Sequence, residues 1–63
     1  MKVRYDPEVD ALYVDLSNRH AVESAEVAPG VIIDFDAENR IVGIELLNAK
    51  AKLPADALAD AAE

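Results

Sequence analysis

The sequence predicts an α+β domain that is mostly β: a four- or five-stranded antiparallel meander with a short C-terminal helix. Three observations predict it. Apolar and polar residues alternate over Lys2–Tyr5, Ala11–Leu16 and both arms of Val31–Leu47, the two-residue period of half-buried strands. Turn formers separate those runs at Asp6-Pro7, Ser17-Asn18 and Pro29-Gly30. An Ala-rich stretch follows Pro54, and proline fits the first turn of a helix.

The 63 residues suffice for one domain, 1–63, with the sheet in 1–48 and the helix in 53–62. A domain of this size buries only about 60 % of its unfolded surface and usually needs a disulfide, a metal or self-association. Cysteine is absent, which removes disulfides and thiolate metal sites. The hydrophobic fraction of 52 % is too high for a disordered chain.

Thirteen acidic residues against six basic give a formal charge of −7. Nucleic-acid and anionic-membrane partners need clustered Lys and Arg, so neither is expected. A basic protein partner is compatible with this charge. No apolar run approaches the ~20 residues of a membrane span. MKVRYDPE lacks the apolar core of a signal peptide, so the expected location is cytoplasmic.

In chain order, Lys2–Tyr5 turns Val3 and Tyr5 inward. Asp6 and Pro7 suit a capped helical turn leading into Ala11–Leu16, where Leu12, Val14 and Leu16 share a face. Ser17–His20 is a polar turn. Val22–Val27 reads as an edge strand protected by its glutamates. Ala28-Pro29-Gly30-Val31 matches a type II turn. Val31–Asp36 and Ile41–Leu47 then form the central hairpin around Asp36–Arg40, with a type I turn and Asn39 left-handed. Gly43 in mid-strand implies a bulge or a close neighbour, with Tyr13 or another subunit to fill the space. Asn48–Lys52 is a polar exit. In the helix, Leu53, Ala57, Leu58 and Ala61 form a narrow apolar stripe.

The common inner face collects Val3, Tyr5, Leu12, Val14, Leu16, Val31, Ile33, Phe35, Val42, Ile44 and Leu46. Tyr13, Ile32, Ile41 and Leu47 fall on the reverse face, where solvent is expected. These four are the candidate self-association face, and a homo-oligomer is the expected state.

Three stretches, V-x-Y-D-P-E-x-D-A-L-Y-V from Val3, P-G-V-I-I-D-F-D from Pro29 and I-V-G-I-E-L-L-N-A from Ile41, together resemble the domain-of-unknown-function family numbered 2283, small prokaryotic proteins. The resemblance runs through most of residues 1–50. It implies a small β-rich fold and brings no established activity and no catalytic residues.

Candidate chemistry is sparse. Asp34, Asp36, Glu38 and Glu45 have the spacing of a calcium loop. However, Asn39 stands where the sharp-turn glycine is needed, and the flanks are strands. Asp6, Glu8 and Asp10 could serve a metal-dependent hydrolase, although capping and solvation explain them more simply. Asp15 and Asp34 share the reverse face, where covering would perturb a carboxyl. His20 has no Cys or His companion for zinc, and no buried acid orients it toward Ser17 or Ser24. The expected function is a non-enzymatic protein-interaction or self-associating module, without cofactor or metal. An antitoxin-like partner of a small basic toxin is the alternative within the binding class.

Overall fold

The computed structural model describes the backbone of residues 1–61 and the side chains of 1–59. Five strands form one sheet: β1 (Lys2–Asp6), β2 (Ala11–Asp15), β3 (Glu23–Ala28), β4 (Val31–Phe35) and β5 (Ile41–Leu47). Two helices follow, α1 (Ala49–Lys52) and α2 (Ala55–Ala61). The order across the sheet is β1-β2-β5-β4-β3, with every neighbour antiparallel. The mostly β, α+β architecture is as the sequence predicts.

The order departs from a single meander at one place. The β1–β2 hairpin and the β3–β4–β5 meander are separate units, joined where β5 lies against β2. Residues 16–22 therefore carry the chain from mid-sheet to the far edge.

Local chemistry explains the connections. Asp6 Oδ1 accepts the Glu8 amide at 3.0 Å, and Asp6 pairs with Ala11. Residues 7–10 thus close a hairpin, and β1 and β2 pair across this short connection as expected from the sequence. Gly30 has φ 73°, the left-handed value a type II turn requires at that position. At the central hairpin tip the Asn39 amide donates to Asp36 O at 3.0 Å. Asn39 has φ 64°, as the turn chemistry predicts.

The segment read as a polar exit is also a correction. Ala49–Lys52 is one helical turn, and Ala49 is fully buried. Leu53 is extended because the residue before a proline avoids the helical region. The expected C-terminal helix accordingly begins after Pro54, as α2. Ala62 lies outside the described residues, as does the side chain of Ala61.

The helices lie on one side of the sheet. Val3, Tyr5, Val14, Leu46, Leu53 and Leu58 pack around Leu12 and Ala49. That cluster takes up only the β1–β2 end and the adjoining part of β5. Ala11, Leu12, Val42 and Ala49 are the buried apolar residues. Val31, Ile33, Phe35 and Ile44, all expected in the core, are only half-buried and stand outside the cluster. Leu16, also expected inside, is 41 % exposed because β2 ends at Asp15.

Candidate functional site

The sheet presents two faces, and the pairing register says which residues meet on each. On the helix side one row runs Val3–Val14–Ile44–Ile33–Ala25 and the next runs Tyr5–Leu12–Leu46–Val31–Ala28. The helices close the β1–β2 end of these rows. Among the described residues no helix closes the β4 end, where Val31, Ile33 and Phe35 are apolar and exposed Glu23 lies opposite Phe35.

The reverse face carries charge. One of its rows runs Lys2–Asp15–Gly43–Asp34–Ser24, and the next runs Arg4–Tyr13–Glu45–Ile32–Glu26. Arg4 reaches Asp15 at 3.3 Å and lies 5.0 Å from the Tyr13 ring centroid, within cation–π range. Ser24 donates to Asp34 Oδ1 at 2.6 Å. A Cβ on Gly43 would sit 3.0 Å from Asp34 Oδ2. Gly43 has both the close neighbour and the adjoining register shift that a mid-strand glycine implies, the neighbour being Asp34 where Tyr13 or another subunit was expected. Burial raises the Glu45 pKa above its ordinary 4.5, reinforced by a hydrogen bond and charge from Asp34, while Arg4 opposes the shift. Asp34 thus acts on Glu45, its diagonal neighbour, where Asp15 was the expected companion.

Of the four residues of the candidate self-association face, Tyr13, Ile32 and Leu47 are neighbours around Glu45, and Ile41 stands apart at the other end of β5. Tyr13 and Ile32 flank Glu45 in one row. Leu47 lies toward one end of β5 and Ile41 at the other, 38 % and 50 % exposed.

The first hairpin uses its acids structurally. Asp10 is left-handed, with φ 56°. Its carboxylate accepts the Tyr5 hydroxyl at 2.7 Å and the Lys50 amide at 3.2 Å, and its carbonyl accepts the Ala49 amide at 3.0 Å. Asp10 therefore caps α1 from another element and fixes the helix layer to the first hairpin. The bond to Asp10 raises the Tyr5 pKa, with burial and the charges of Asp10 and Asp6 adding to it. Asp6 holds its own turn and Glu8 is exposed. Among the described residues no three His, Asp or Glu side chains converge as a metal site.

The calcium-like spacing is dispersed in the same way. Asp34 and Glu45 lie on the reverse face, and exposed Glu38 pairs with Arg40. Asp36, read as a strand residue, instead stands beyond the end of β4 and is buried. Its Oδ1 accepts the Glu38 and Arg40 amides, each at 2.9 Å. Its Oδ2 is buried without a partner among the described residues. His20 is exposed, Ser17 accepts the Arg19 amide, and Ser24 bonds Asp34, so no triad assembles. No described helix is long and apolar enough to cross a membrane.

Sequence reasoning missed Asp10 as the cap of α1, the burial of Asp36 and the Glu45–Asp34 pair. The bonds of Asp36 within its own loop follow from Asx-turn chemistry, whereas Asp10's helix partners, Ala49 and Lys50, lie some forty residues away. A family model described as "Protein of unknown function (DUF2283)" matches residues 2–50. No curated protein and no solved structure matches the chain.

Proposed function

Because the chain belongs to the DUF2283 family, whose description carries no activity, we propose a function from what its surfaces can do. It is a self-associating, non-enzymatic module whose open helix-side half-face is covered by a second copy. The observation that carries this reading is the incomplete core. Among the described residues no side chain larger than alanine is fully buried, and none of the packed cluster lies over Val31, Ile33, Phe35 and Ile44, which stand together on one face.

A second copy supplies an identical apolar surface, and two such faces stack as sheets do, about 10 Å apart. No cysteine is present to supply the staple another way. The reverse face suits this role less well, since Glu45 separates Tyr13 from Ile32 and Asp34 lies beside it. Each copy carries −7, so repulsion opposes the pairing and added salt should tighten it.

Sedimentation equilibrium at micromolar concentration tests the reading. The expected mass is twice the 6.8 kDa of the chain. Ile33→Asp should halve it, and Ile32→Asp on the reverse face should leave it unchanged. A wild-type monomer would sink the proposal. Loss of the dimer in Ile32→Asp alone would move the interface to Tyr13, Ile32, Ile41 and Leu47.

A further inference from the structure

We propose that the two edges of the sheet are a second, head-to-tail association surface, with β1 of one copy docking along β3 of the next. It is a different surface from the open half-face and does not depend on that reading.

β1 and β3 each have one neighbour in the sheet, so each turns a row of backbone N–H and C=O groups outward. The two edges differ in their balance of charge. Lys2 and Arg4 are exposed on β1 and are two of the six basic residues of the chain; Arg4 also pairs with Asp15, and the strand ends in half-buried Asp6, whose carboxylate holds its own turn. Glu23 and Glu26 stand on β3, all six residues of which are exposed. The register places Lys2, Arg4, Ser24 and Glu26 on the same side of the sheet. Val27, 60 % exposed, adds apolar surface to the acidic edge.

Charge on an edge ordinarily keeps other strands away. A β3–β3 contact would set glutamate against glutamate, and a β1–β1 contact centred on Arg4 would set arginine against arginine, with only Lys2 facing Asp6. The remaining pairing brings opposite signs together. Because neighbours are antiparallel throughout, β1 and β3 run in the same direction. A copy displaced along the sheet therefore adds its β1 as a parallel neighbour of β3, with both helix layers on one side. Such a contact is heterologous and does not close by itself, so it builds open-ended chains of protomers.

The test is sedimentation velocity of the full chain at low and high salt, with Lys2→Glu, Glu26→Lys and their equimolar mixture. At low salt the wild type should grow beyond twice 6.8 kDa as concentration rises, and high salt should reverse this. Salt has the opposite effect on the open-face dimer. Each reversal alone should weaken the edge association roughly tenfold or more, and mixing the two should restore it. Circular dichroism checks that each variant folds. If either reversal unfolds, Lys2→Gln and Glu26→Gln replace the pair, each expected to weaken the growth. Ile33→Asp removes the face contact while leaving the edges intact, so failure of one surface is separable from failure of the other. Growth that ignores salt, reversals that assemble like wild type, or a mixture no larger than its components would overturn the proposal.

Discussion

The two ends of the helix-side face carry similar residues and reach different degrees of burial. At the β1–β2 end, Leu12 is 6 % exposed and Ala49 is fully buried beneath Val3, Tyr5, Leu53 and Leu58. At the β4 end, Val31, Ile33 and Phe35 are as apolar but only half-buried. The difference comes from the helix layer. Asp10 holds the start of α1 above the first hairpin, and α2 packs on β1. The described helices cover one half of the sheet, so the same strand chemistry gives a core at one end and a half-buried apolar surface at the other.

The largest expected effect breaks the covered end. Leu12→Ala should cost about 3 kcal/mol, read by urea denaturation, and should do so equally at every protein concentration per folded chain. Asp10→Ala should follow at about 2 kcal/mol, because it removes the Tyr5 and Lys50 bonds together. Asp10→Asn keeps an acceptor and tolerates the left-handed backbone, so it should cost clearly less.

At the open end Ile33→Ala should cost about 1 kcal/mol in dilute solution, since its side chain is already half in water. The cost should grow at concentrations where the dimer forms, which sharpens the contrast with Leu12. Measuring both variants across a concentration series checks it.

The smallest effect concerns the reverse face. The Glu45 carboxyl is raised in the folded protein, so folding favours its protonated form. The associated stability is fully present below the ordinary value of 4.5 and is lost as pH rises through the raised value. At neutral pH Glu45→Gln should therefore stabilise by about 0.2–1 kcal/mol, the scale of a cross-strand like-charge contact. The gain should vanish at acid pH in thermal melts.

The strands were legible because two-residue alternation reports directly on a half-buried sheet. Val3, Leu12, Val14 and Leu46 were correctly placed on the core side, and Gly30 and Asn39 announced their turns. Three things were not legible. Alternation assigns a face but cannot say what lies over it, so Val14 and Ile33 read alike. The order β2-β5 depends on a long-range pairing that no local spacing encodes. Ala49 and Asp10 act through contacts distant in sequence, and a polar-looking exit therefore concealed the best-buried residue. The reverse-face residues Tyr13, Ile32, Ile41 and Leu47 were visible as apolar exceptions, but the charges among them emerge only from the register.

The most direct measurement of the central claim is the urea midpoint of the wild-type chain at roughly 1 µM and roughly 100 µM, bracketing a micromolar dimer. If a second copy completes the open half of the sheet, the midpoint rises with concentration, and Ile33→Asp abolishes the rise. A midpoint identical at both concentrations would contradict the account.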